Sequence, residues 1–178
     1  MSDTSNIQTS HPSALSHDEL RRFKELVIEG GEVAGNALST NIANAKIIVL
    51  VRWKGIIRGV GALKRPQRSY REKVEKKAKL ELLESNYPYE LGYIYFEEGL
   101  RGQGLSHRLV ALALEQGHCA GVFATVRTDN AIMRAVLETA GFTPAGDFYP
   151  GSKPGTEIGV LLRPQAAKWA ESNFSGGK

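Results

Sequence analysis

The chain has 178 residues, a formal charge of +4, 42% apolar and 24% charged residues, the make-up of one globular domain with a real core. One cysteine, Cys119, excludes an intramolecular disulfide framework, and the mild positive charge suits an anionic ligand without requiring one. No apolar run approaches the ~20 residues of a membrane helix, and the opening "MSDTSNIQTSHPSALS" lacks a basic end followed by an apolar core, so a cytoplasmic protein is expected.

In chain order, residues 1–15 are polar and read as a disordered tail. Ser16 is a candidate N-cap for "HDELRRFKELVIEG", with Asp18 and Glu19 in the first turn and Gly30 past the end. A weaker helix is expected within "GEVAGNALSTNIANA". "KIIVLVRW" reads as a buried strand, Lys54-Gly55 as a turn, and "IIRGVGALKRP" as the returning strand, ended by Pro66. "YREKVEKKAKLELLE" is charged and helical, and "YELGYIYFEE" is a third strand. A helix over "LSHRLVALALEQG" places Leu105, Leu109, Leu112 and Ala113 on one face. "GVFATVR" is a fourth strand. "NAIMRAVLETAGF" is a helix with a stripe of Ile132, Met133, Val136, Leu137 and Ala140, capped by Gly141. "TEIGVLLRP" is the last strand, and residues 166–178 form a tail. The expected architecture is a single α/β domain over 16–165, a mixed and mostly antiparallel sheet with helices on both faces.

The chemistry concentrates in "GLRGQGLSHRLV", where a strand runs into a Gly-rich turn and then a helix. Backbone N–H groups and the helix dipole converge there, equivalent to roughly half a positive charge, and glycine admits anion oxygens close to the backbone. The mononucleotide pattern needs Gly-Lys-Ser/Thr, but Gly104 is followed by Leu105 and Ser106. The dinucleotide pattern needs a third glycine that both "GQGLSH" and "GVGALK" lack. On the loop alone, a phosphate site and a ligand-free connection both stand.

Together with "TVRTDNAIMRAVLETAGF", the segment "YELGYIYFEEGLRGQGLSHRLV" resembles the GNAT superfamily of N-acetyltransferases over roughly residues 16–163. That family carries Arg/Gln-x-x-Gly-x-Gly/Ala between a central strand and a helix, matched here by Arg101-Gly102-Gln103-Gly104-Leu105-Ser106, and later an Asn, a helix and Gly-Phe, matched by Asn130 and Gly141-Phe142. The resemblance implies acetyl-CoA or another acyl-CoA. The amides of Gly102, Gln103, Gly104, Leu105 and Ser106 would hold the pyrophosphate with Arg101 beside them. The pantetheine arm would lie along Tyr95, Phe96 and Glu97 where two central strands splay, with Asn130 on its other side. It further implies a small-molecule or peptide amine as acceptor, and a homodimer. Ser106 stands where the family has Gly/Ala, and its hydroxyl adds a donor to phosphate. Leu137 stands where many members carry the tyrosine taken as general acid, so that role does not transfer.

The chemistry needs a group to take the ammonium proton, whose pKa is near 10. Glu90 resembles the family's glutamate base, where flanking Tyr89 and Tyr93 would desolvate it, but it also reads as an ordinary strand-end carboxylate. A backbone N–H near Phe96 would stabilise the oxyanion. Tyr149 and Tyr95 are substitute acids, whereas "GDFYPG" around Tyr149 also reads as a plain turn. Glu97 and Glu98 read as solvated edge charges, Cys119 as a small buried residue entering a strand, and His107 and His118 as helix-surface residues. No Cys/His spacing points to a metal.

"KRPQRSYREKVEKKAK" is the most basic stretch, either a solvated helix face or a surface for an anionic acceptor such as tRNA. The alternatives to an N-acetyltransferase of small or peptide amines are a CoA-binding regulator without turnover and an acetyltransferase of charged tRNA.

Overall fold

Ser16 opens the first helix through a capping box. Its hydroxyl accepts from the Glu19 N–H at 3.2 Å, and its own N–H donates to Glu19 Oε2 at 2.7 Å. This helix, α1, runs His17–Glu29 and closes at Gly30, as the sequence predicts. The computed structural model describes residues 5–31 and 37–166. The second expected helix appears as α2, Ala37–Ala43; residues 32–36, and the tail beyond 166, lie outside the described residues.

The remaining elements are β1 (Ser5–Ser10), β2 (Ile47–Trp53), β3 (Ile56–Lys64), α3 (Arg68–Ala78), β4 (Tyr89–Phe96), α4 (Leu105–Glu115), β5 (Val122–Arg127), α5 (Ala131–Thr139), β6 (Thr143–Pro150) and β7 (Glu157–Arg163). They build a seven-stranded sheet in the order β1-β2-β3-β4-β5-β7-β6. Among the described residues only β4 and β5 pair in parallel; the other neighbours are antiparallel. Strand β2 shows why both faces are covered. Ile47, Val49 and Val51 join the cluster with Leu105, Leu109 and Val110 of α4 and Val136 and Leu137 of α5. Ile48 and Leu50 point the opposite way, onto Phe23, Leu26 and Val27 of α1 and Leu38 and Ile42 of α2. A third cluster sits under α3, where Val74 and Ala78 meet Phe123 and Val160. No helix among the described residues is long and apolar enough to cross a membrane.

Five expectations need correction. Residues 5–15 are not a tail: β1 pairs along β2, and a 3₁₀ turn at Pro12–Ala14 follows, because Ile7 and Leu15 find apolar cover despite the polar composition around them. Helix α3 stops at Ala78 rather than Glu84, since Lys79 turns left-handed (φ 51°) and the chain doubles back to bury Leu82, whose N–H donates to Glu75 Oε1 at 2.6 Å. "GDFYPG" is not a turn but part of edge strand β6, hidden in the sequence by Pro144, Pro150 and a bulge between Ala145 and Tyr149. Ile132 leaves the expected stripe and is 79% exposed, while Val136 and Leu137 are buried. Cys119 is exposed in a left-handed turn (φ 66°), three residues before β5.

Candidate active site

Strands β4 and β5 part company almost as soon as they meet. Their pairing consists of Tyr89 with Val122 and Glu90 with Phe123. Strand β5 then stays on β7 as far as Arg127, and β4 stays on β3 as far as Phe96. From Leu91 onward the β5 side of β4 is therefore an edge inside the sheet, the splay expected from the resemblance. A bulge sharpens it. Gly92 faces Ala62 and Tyr95 faces Val60, so Tyr93 and Ile94 together oppose Gly61. Tyr93 takes a φ of 56°, a strained value for a non-glycine residue. Its ring is locked edge-on to Phe23, with centroids 6.3 Å apart, and lies beneath Lys64 at 4.5 Å.

The strand leads through a 3₁₀ turn, Glu98–Leu100, into the glycine loop. Gly102 and Gly104 adopt φ of 76° and 71°, so both need glycine for conformation. A Cβ on either would meet nothing within 4 Å, so the space above the loop is open. Gly104 is the N-cap of α4 and supplies no side-chain cap. The first N–H groups of α4, on Leu105, Ser106 and His107, have no intrahelical acceptor by helix geometry. An uncapped helix start with a glycine-lined mouth fits a diphosphate. Gln103 braces the loop through its Nε2 to the Gly99 carbonyl at 3.0 Å. Arg101 folds back instead of standing beside the amides: its Nε donates to the Phe96 carbonyl at 3.1 Å, and its guanidinium lies 5.7 Å from the Tyr95 ring centre.

At the point where the strands part, Glu90 is 1% exposed. Its Oε1 accepts from the Tyr70 hydroxyl at 2.9 Å and the Thr125 hydroxyl at 3.1 Å, and its Oε2 stands 2.9 Å from Lys64 Nζ. The desolvating neighbours expected at Tyr89 and Tyr93 are thus replaced by a polar set drawn from β3, α3 and β5. Tyr149 reaches the same cluster from β6. Burial, and secondarily the Glu90 charge, push its phenol up to about 12. Burial and Glu90 push Tyr70 up as well, well above the usual tyrosine range. Both are neutral phenols near pH 7.

The other candidates separate into used and unused. Phe96 is buried, and its ring fills the space over Gly59. Tyr95 is half-buried against Gly30. Glu97 is no solvated edge charge: it pairs with Arg22 of α1 and, at 2.5 Å, with Arg58 Nε of β3, while its N–H donates to the Arg58 carbonyl at 2.9 Å. Asn130 caps α5, its side chain accepting from the Met133 N–H at 3.1 Å. Leu137 is 2% exposed and belongs to the core. His107 is exposed on α4, as expected, whereas His118 is exposed beyond the helix end, in a left-handed turn (φ 48°).

Sequence reasoning missed Lys64, Tyr70 and Thr125. The first two lie in the basic stretch, whose Arg65, Arg68, Lys73, Lys76, Lys77 and Lys79 are exposed as a solvated face, while Lys64 and Arg71 turn inward. Lys64 is paired with Glu90. Arg71 is buried, donating from Nη1 to the carbonyls of Leu82 and Tyr87 at 2.8 Å each, and burial lowers its pKa.

The model of the acetyltransferase (GNAT) family matches residues 12–142. No curated protein sequence matches the chain. Solved structures similar to it include ElaA of Escherichia coli (17% identity, TM-score 0.64, covering 89% of this chain and 99% of that one). An acyl-CoA N-acyltransferase of Pseudomonas aeruginosa shares 16% identity with a TM-score of 0.65, covering 90% and 99%. The ribosomal-protein-S18-alanine N-acetyltransferase of E. coli shares 13% with a TM-score of 0.60, covering 96% and 100%. At such identities these likenesses speak for the fold, and the family match covers most of the chain. The chain belongs to the GNAT acetyltransferase family.

Proposed function

We propose that the protein is an N-acyltransferase that moves an acetyl group from acetyl-CoA to a primary amine of a small molecule or of a peptide. The observation that carries this reading is the alignment of the β4/β5 splay with the uncapped, glycine-lined start of α4. The N–H groups from Gly102 to Ser106 would hold the diphosphate, and the edge of β4 near Tyr95–Glu97 would take the extended arm, with Asn130 across from it. The bound thioester supplies an activated acyl carbon and a thiol leaving group.

On the chain's side, Glu90 takes the proton the amine must lose, as the buried carboxylate nearest the splay. Tyr149, neutral up to about pH 12, is the donor we favour over Tyr95, because the Glu90 charge acts on it and Tyr95 is engaged by Arg101. A thiol with a pKa near 8.5 leaves tolerably without a strong acid, so Leu137 does not abolish turnover. We infer a cytoplasmic protein, in keeping with its single cysteine.

Release of CoA thiol from acetyl-CoA, followed across a panel of alkyl amines, amino acids and peptides, tests the reading. Thiol release that depends on an amine supports it. Cofactor binding with no release for any amine would instead favour the regulator.

A further inference from the structure

The candidate base is sealed off. Glu90 has 2% of its side chain exposed, and both its oxygens are already engaged: Oε1 by the Tyr70 and Thr125 hydroxyls, Oε2 by Lys64. An amine in the splay cannot reach such a carboxylate directly without displacing one of these partners. Thr125 is held in strand β5, and Lys64 is 15% exposed and a cation, unable to accept a proton. Tyr70 differs. It sits at the start of α3 with 37% of its surface exposed, while its hydroxyl donates inward to Glu90 at 2.9 Å. A phenol donating one hydrogen bond keeps lone pairs that can accept another.

Resting on the reading of Glu90 as the base, we propose that Tyr70 is a catalytic proton relay, carrying the acceptor's proton to the buried Glu90 carboxylate. The alkyl-ammonium acceptor gives a proton to Tyr70 Oη as the Tyr70 hydroxyl proton passes to Glu90 Oε1. Tyr70 ends as the phenol it began as, and Glu90 becomes the neutral acid. The amine lone pair then forms the C–N bond to the acyl carbon, and the C–S electron pair leaves with sulfur. The nitrogen's second proton goes to the thiolate, giving free thiol. Glu90 returns its proton to solvent through Tyr70 in reverse, so each turnover releases one proton.

The surroundings favour relay over ionisation. Burial and the Glu90 charge hold Tyr70 as a phenol, so it passes protons without resting as phenolate. The charged and titratable groups around it are Glu90 on β4, Lys64 on β3, and Tyr149 on β6; on α3 itself, Arg71 lies over Phe123 and Lys77 over Tyr149. Lys64 lies between the rings of Tyr93 and Tyr70, at 4.5 and 5.9 Å, and neutralises Glu90 in its resting state.

The test compares wild type, Tyr70→Phe and Glu90→Gln with acetyl-CoA and the fastest primary amine of the thiol-release panel, from neutral pH toward the amine's own pKa of roughly 10. Phenylalanine keeps the ring and removes only the hydroxyl. The relay predicts that Tyr70→Phe lowers kcat about 100-fold at neutral pH, within the usual range for acid–base groups. The loss should shrink as pH rises and the amine arrives already neutral, with the Kd for acetyl-CoA and the melting temperature near those of wild type. Glu90→Gln should show the same pH dependence of kcat, at a lower melting temperature because it strands the Lys64 charge. A loss in Tyr70→Phe that is equal at every pH marks a structural role and overturns the relay. An impaired Glu90→Gln beside an unchanged Tyr70→Phe overturns the relay and leaves Glu90 as base. An unchanged Glu90→Gln overturns both, and a panel in which no amine turns over overturns the transferase reading and the relay with it.

Discussion

Lys64 Nζ lies 2.9 Å from Oε2 of Glu90, and the two side chains are 15% and 2% exposed. The pair joins β3 to β4 at the residue where β4 and β5 separate. A buried ion pair adds little net stability over an apolar pair, but removing one member strands the other charge, at about 3–5 kcal/mol. Lys64→Met is therefore expected to lower unfolding free energy by about 3 kcal/mol, read from urea denaturation at unchanged m-value. The double variant Lys64→Met/Glu90→Leu should recover most of that loss. A single-variant loss below ~1 kcal/mol would mean the pair is solvated like a surface one.

Alkaline titration reports on the same cluster. The Tyr149 phenol is pushed up to about 12 by burial and by Glu90, against an ordinary tyrosine value near 10. The folded-state value is the higher one. Its stabilising contribution is complete below pH ~10 and is lost as pH rises through the folded value. Phenolate absorbance should therefore show a phase near pH 12 in the folded protein that Tyr149→Phe removes. Finding that phase intact in the variant would place Tyr149 in water.

The first helix tests the fold independently of the site. Ser16→Ala removes the cap on Glu19 N–H, with an expected loss of about 1 kcal/mol. The Ser16 N–H and hydroxyl, with Arg52, hold the Glu19 carboxyl below its usual range. Because the folded value is the lower one, that contribution is present above the unfolded carboxylate pKa and fades as pH falls through the folded value. The gap between wild type and Ser16→Ala should then narrow in acid. A gap that stays constant down to acid unfolding would contradict the linkage.

Gly104 separates conformation from ligand. Its φ of 71° disfavours any side chain, but a Cβ there meets no atom within 4 Å. Gly104→Ala should cost about 1–2 kcal/mol of stability from the left-handed backbone alone. Its affinity for acetyl-CoA should fall further than that strain explains if, as proposed, the loop holds the diphosphate, since the methyl would then stand in the path of a phosphate oxygen. Calorimetry on the folded variant measures this, and affinity equal to wild type would remove Gly104 from the cradle.

How far the sequence spoke depended on the range of the interactions. The helix α1 was legible because its signals, Ser16, Glu19 and Gly30, are local. The loop was legible because Gly102 and Gly104 answer a local backbone demand. Strand β6 was not, since Pro144 and Pro150 argue against a strand and only pairing with β7 makes one. Tyr70 and Lys64 looked like part of a solvated basic helix. What makes them site residues is contact with Glu90, 20 and 26 positions away in "KRPQRSYREKVEKKAK" and beyond. Composition has no access to such a pairing. The bulge at Tyr93 was equally silent, because a left-handed tyrosine is a tertiary outcome held by Phe23 and Lys64.

The most direct test of the account is a calorimetric titration of acetyl-CoA into wild type and Ser106→Glu. A glutamate in the first turn suits the helix dipole, so the unliganded variant should fold as wild type does. Its carboxylate would face the bound diphosphate. Saturable 1:1 binding to wild type is expected, weakened at least tenfold, or about 1.4 kcal/mol, in the variant. Absence of binding to wild type at millimolar acetyl-CoA, or equal affinity in the two proteins, would contradict it.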